Sequence, residues 1–120
     1  MARVLVIDDE PDVRWVLRLS LERAGHEVIM AEDGLRGVAM AQRQHPDVIV
    51  LDLMMPVMDG REFRAAQVTD PSIAHIPVLV VSAHSDAAAI SRQMGAQGFI
   101  GKPIIFNQLL SRLETMLKEA

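Results

Sequence analysis

Apolar residues along this chain follow two rhythms. Short unbroken runs, Val4 to Ile7, Val48 to Leu51 and Val78 to Val81, alternate with longer segments whose apolar positions recur at helical spacing. Unbroken runs of this length suit strands covered on both faces, and their alternation with helical segments builds a parallel sheet flanked by helices. An α/β, doubly wound fold of five such units is predicted. Strands are expected near 3–7, 26–30, 47–51, 77–81 and 97–100, with the first, third and fourth central because they are almost purely apolar. The first helix is expected to start at Pro11, whose ring suits the first helical position, and to stop at Gly25. Its inner face is predicted to carry Val13, Val16, Leu17, Ser20 and Ala24, leaving Arg14, Arg18 and Glu22 in water. Further helices are expected near 34–44, 60–67, 85–94 and 106–118, the last with Leu109, Leu110, Leu113, Met116 and Leu117 as its apolar stripe. The longest irregular stretch, Thr69 to Pro77, is too short to divide domains, and no repeat or low-complexity tract interrupts the pattern. One domain over 1–120 is expected.

Composition narrows the functional classes. Half of the 120 residues are hydrophobic, enough for one core, and the net charge of -4 without a basic cluster argues against direct nucleic-acid binding, which needs concentrated Lys and Arg. The chain has no cysteine, so disulfides and thiolate metal sites are excluded. No apolar run approaches the roughly 20 residues of a membrane span, and Met1-Ala2-Arg3 leads directly into a strand, so a cytoplasmic chain without membrane contact is expected.

The chemistry-bearing residues fall at strand ends. Asp8 and Asp9 close the first run, Asp52 the third, Ser82 the fourth, and Lys102 follows Phe99 and Ile100 of the fifth. Ligands of open α/β sheets bind in the crevice at the carboxyl ends of strands, so these side chains are expected to converge there. Oxygen donors on short Asp side chains suit a hard cation such as Mg2+ rather than zinc. Clustered carboxylates repel one another, and a metal together with the ammonium of Lys102 would make the cluster tolerable. His26, His45, His75 and His84 lie on different elements without paired ligand spacing, so no histidine metal site is expected. Gly95, Gly98 and Gly101 surround a strand instead of opening a helix, which is wrong for a dinucleotide or phosphate loop.

The segments V-L-V-I-D-D-E-P, V-I-V-L-D-L-M-M-P-V-M-D-G, V-L-V-V-S-A and G-F-I-G-K-P, in that order and spacing, resemble those of the receiver domains of two-component response regulators over the whole chain. The resemblance implies a flavodoxin-like sheet in strand order 2-1-3-4-5. It also implies roles: Asp52 as phosphoacceptor, Asp8 and Asp9 as the acidic pair on Mg2+, and Met54 as the position whose backbone carbonyl completes the metal shell. Lys102 would contact phosphoryl oxygens, Ser82 and Phe99 would form a switch pair, and the Lys102-Pro103 bond would be cis. The implied partners are a histidine kinase or histidine phosphotransfer protein upstream and an output protein downstream. The chain would then be catalytic only towards itself, gaining an aspartyl phosphate at Asp52 and losing it by hydrolysis past Met54 and His84.

Each signal has a plainer reading. Asp8 and Asp9 alone suit the start of a helix, Ser82 alone suits a helix cap, and Asp52 alone suits the loop before Asp59-Gly60. Trp15, on the outer face of the first helix, reads either as an amphipathic surface ring or as a contact for the phosphoryl donor. Met54, Met55 and Met58 read as loop packing. Two other functions remain open: a phosphatase working through an aspartyl phosphate, for which Met54 stands where a general acid is needed, and a receiver-like interaction module that takes no phosphate; the receiver itself reads either as free-standing or as cut from a larger regulator or hybrid kinase.

Overall fold

A computed structural model describes residues 1–119. Five strands, β1 (Arg3–Ile7), β2 (Glu27–Ala31), β3 (Val48–Leu51), β4 (Val78–Ser82) and β5 (Gly98–Gly101), alternate with helices α1 (Pro11–Arg23), α2 (Gly34–Gln44), α3 (Gly60–Val68), α4 (Ala87–Gln93) and α5 (Phe106–Glu119). The sheet is parallel throughout, in the order β2-β1-β3-β4-β5, the flavodoxin-like arrangement expected.

Alternation along the strands divides the core in two. Leu5, Ile7, Ile49, Leu51 and Val80 face the layer of α2, α3 and α4, where Phe63 and Ile90 pack. Val4, Val6, Val48, Val50, Leu79 and Val81 face α1 and α5, meeting Leu17, Leu21, Leu109, Leu113 and Met116. Because both faces are covered, the central strands carry no polar residue between their ends, which explains their unbroken apolar runs.

Helix α1 corrects the expected inner stripe. Leu21 is fully buried, while Val16 and Ala24 are exposed. Val16 lines a groove between α1 and the start of α5 instead of pointing at the sheet. Arg14 does not simply face water: half-buried, its Nη1 donates to the Asp8 carbonyl at 2.7 Å. Helix α4 starts at Ala87, two residues later than expected, after an exposed turn over 83–86.

Two buried polar side chains organise the far side of α3. Gln67 donates to the carbonyls of Ile73 and Ile76, pinning the 69–77 loop so that both isoleucines enter the core. Arg64 donates to Gln67 Oε1 and to the carbonyls of Met94 and Gly95 just past α4. Carbonyls at a helix C-terminus carry partial negative charge, and here they stand in for a carboxylate. Burial alone pushes the Arg64 pKa down.

The loop before α3 contains a strained residue. The Met58 amide donates to the Pro56 carbonyl at 2.7 Å, closing a three-residue turn in which Val57 has φ +69°. A β-branched side chain is unfavourable there by roughly 1–2 kcal/mol, and Val57, 75% exposed, gains no packing to offset it. Val57→Gly is therefore expected to stabilise the protein by about 0.5–1 kcal/mol, since Gly has no Cβ to strain at this positive φ and its extra chain entropy offsets only part of the relief. A urea midpoint that fails to rise would contradict the strain.

Candidate functional site

The site is laid out by the strand ladders continuing one residue past their ends. The Asp52 amide donates to the Ile7 carbonyl at 2.9 Å, setting Asp52 beside Asp8, and the Lys102 amide donates to the Ser82 carbonyl at 3.0 Å, setting Lys102 beside Ser82. The Asp8 amide is held in turn by the Ala31 carbonyl. The peptide Lys102-Pro103 is cis, as the resemblance implies.

Asp8 and Asp52 are only 3% and 5% exposed, whereas Asp9 stands exposed at the mouth. The Lys102 ammonium donates to Asp8 Oδ2 at 3.1 Å, to Glu10 Oε1 at 3.1 Å and to Asp52 Oδ2 at 3.4 Å. Carboxylate oxygens of Asp8, Asp9, Glu10 and Asp52 all lie within 4.8 Å of one another. An open cavity of about 320 Å³ is lined by Asp9, Glu10, Asp52, Met54, Ser82, Ala83, His84 and Lys102. Ser82, buried at the end of β4, accepts from the His84 amide at 3.1 Å, which leaves its hydroxyl proton free to donate.

The electrostatics follow from this crowding. Burial, then the charge of Asp8, pushes the Asp52 pKa up, with Lys102 and the Met54 amide opposing. Burial works against the charge of Lys102 as well, but Asp52, Asp8 and Glu10 outweigh it and raise its pKa. The lysine is therefore a fixed cation, and the folded state favours its protonation, a stabilisation present below pH 10.5 and lost as pH rises beyond it. Four carboxylates facing one ammonium leave an excess of negative charge. Oxygen-only donors so arranged fit a hard divalent ion such as Mg2+, and they offer nothing to a metal preferring sulfur or imidazole.

Of the residues singled out from the sequence, Asp8, Asp9, Asp52, Ser82 and Lys102 are brought together, and the Met54 side chain sits at the rim, exposed. Phe99 lies apart. It pairs with Val80 while Ser82 pairs with Gly101, and it packs half-buried against the apolar layer of α2 to α4. Trp15 is 56% exposed on α1, next to the exposed Val16 and near Leu19.

Three contributors escape a sequence reading. Glu10 looks like part of a helix start, yet its side chain caps nothing and turns to Lys102. Arg14 looks like a solvent-facing helical charge, yet it holds the turn after β1. Gly60 looks like half of an Asp-Gly turn, but a Cβ there would stand 2.5 Å from the Asp52 carbonyl oxygen and 2.8 Å from Leu53 Cα. Asp59, which precedes it, forms a capping box with Glu62 that starts α3 directly under the site. An Asp-Gly pair followed by Glu three residues after the Asp is the one signal that could have revealed this role.

Comparison with known proteins agrees with this geometry. The chain is 33% identical over 119 residues to the protein PilH of Pseudomonas aeruginosa, covering 98% of each. It is 35% identical over 120 residues to the DNA-binding dual master transcriptional regulator RpaA of Synechocystis sp., where it spans about half (50%) of that protein, as it does (51%) of the response regulator MprA of Mycobacterium leprae. Its fold superposes on the chemotaxis protein CheY4 of Vibrio cholerae with a TM-score of 0.88 at 34% identity, covering 96% of this chain and 98% of that one. The profile of the response regulator receiver domain matches residues 4–114, and the chain belongs to that family.

Proposed function

We propose that this chain is a phosphorylation-activated signalling receiver whose Asp52 accepts a phosphoryl group from a histidine kinase or histidine phosphotransfer protein. One observation carries the assignment: among the described residues, a buried strand-end carboxylate stands beside three further acids and a lysine at the mouth of an open cavity. Receiver domains as a family signal through phosphorylation, bind Mg2+, and work with a kinase or phosphotransfer partner and a downstream target.

An oxygen of Asp52 attacks phosphorus, the bond to the donor imidazole breaks, and the aspartyl phosphate carries the transferred group. Lys102 neutralises charge on that group, and Asp8 and Asp9, with Asp52 and the Met54 carbonyl, would hold Mg2+. The bound ion supplies further charge neutralisation at the phosphoryl oxygens. Ser82 turns its free hydroxyl to a phosphoryl oxygen and Phe99 follows into the space, changing the face formed by α4, β5 and α5. That face serves the output partner, while the donor approaches over α1 past Trp15. Water attacking phosphorus then releases inorganic phosphate and restores Asp52. The whole described chain acts as one receiver unit, working in the cytoplasm.

Incubation with acetyl phosphate and Mg2+ is expected to add the mass of one phosphoryl group, and EDTA to prevent it. Intact-mass spectrometry reads the result, and absence of labelling would favour a receiver-like module that takes no phosphate. Mg2+ should also stabilise the fold, by about 1.4 kcal/mol at ten times its dissociation constant, because the unfolded chain offers no such cluster. Thermal melts in EDTA and in Mg2+ that superimpose would contradict the ion site.

A further inference from the structure

We propose, building on the assignment of Asp52, that Glu10 is a positioning residue: it holds Lys102 at the rim of the cavity before transfer and is the partner exchanged for the phosphoryl group. An ammonium has three N–H donors, and here each has an acceptor, Asp8 and Glu10 at 3.1 Å and Asp52 at 3.4 Å. A phosphoryl oxygen gains a bond from Lys102 only if one of the three is given up. Asp8 and Asp52 are buried side chains on backbone fixed by the strand ladder, so neither can swing away from the lysine. The Glu10 side chain is 60% exposed and is released into solvent. It also has no competing duty, since it makes no capping bond although it precedes Pro11 at the head of α1. Its backbone is fixed, the amide donating to Asp8 Oδ1 at 2.9 Å, so the carboxylate is carried to the lysine by a rigid turn.

Glu10 therefore competes with the phosphoryl group for Lys102, and shortening or neutralising it should favour the phosphorylated form. The probe is beryllofluoride, a phosphoryl mimic, titrated by calorimetry into the full chain at saturating Mg2+. Glu10→Ala removes both the charge and the tether, whereas Glu10→Asp keeps the charge on a side chain one methylene too short to reach. Both variants are expected to bind beryllofluoride about threefold to fivefold more tightly than the unaltered protein, the upper range for an exposed ion pair. A gain in Glu10→Ala alone would mean that charge and not the tether matters, and would overturn the proposal. So would weaker binding by both variants, which would make Glu10 an aid to the bound state. Failure of the unaltered protein to bind beryllofluoride would overturn the assignment of Asp52 and this proposal together.

Discussion

Asp52→Asn is expected to gain no mass from acetyl phosphate and Mg2+ under conditions that label the unaltered chain. The amide is isosteric with the carboxylate, so the ladder bond from residue 52 to Ile7 is retained while the nucleophilic oxygen pair is lost. The same substitution is expected to stabilise the protein when no metal is present. Burial and Asp8 raise the Asp52 pKa, so the native state binds this proton more tightly than the unfolded chain does. Stability then falls as pH rises from the ordinary carboxylate value of 3.8 through the raised one. Asn removes that penalty, and the difference between the two proteins should close below pH 3.8. Undiminished labelling of the variant would move the acceptor elsewhere. A metal-free Asn variant melting below the unaltered protein at pH 7 would contradict the electrostatics.

Gly60→Ala is expected to damage both fold and site from a position that carries no chemistry. The added Cβ would meet the backbone of Asp52 and Leu53 at 2.5 and 2.8 Å, and backbone atoms cannot swing aside as a side-chain tip does. The Gly60 amide also donates to the Leu53 carbonyl at 2.9 Å, so the two segments are tied as well as touching. Overpacking of this kind costs roughly 1–3 kcal/mol. Relief of the clash must move Asp52 relative to Asp8 and Lys102, so labelling should fall even at temperatures where circular dichroism shows the variant folded. Normal labelling of a folded Gly60→Ala protein would show that the loop absorbs the methyl group without moving Asp52.

The strands were legible because burial on both faces removes every polar residue from their centres, and Val4 to Ile7 or Val78 to Val81 admits few other readings. Their ends shifted by a residue, to Ala31, Ser82 and Gly101, because a ladder ends where hydrogen bonding stops, not where hydrophobicity does. The acids and Lys102 were legible through their common place at strand ends. Glu10, Arg14 and Gly60 were not, for a shared reason: their importance lies in contacts across the chain or with a neighbouring backbone. A lone Glu before a helix, an Arg on a helical face and a Gly after Asp each have an ordinary local explanation that pattern alone does not displace. Val16 misled for a related reason, since helical period places it near the inner stripe but does not show that α1 leaves a gap beside α5.

Helix α4 is anchored unequally. Past its C-terminal end the carbonyls of Met94 and Gly95 are gripped by Arg64, whereas Asp86 at its head makes no side-chain cap and the preceding turn lies open to solvent. Ala87, fully buried, seats the head of α4 by packing, while two hydrogen bonds from one guanidinium tie its tail, so the first turn of the helix is expected to exchange its amide hydrogens faster than the last.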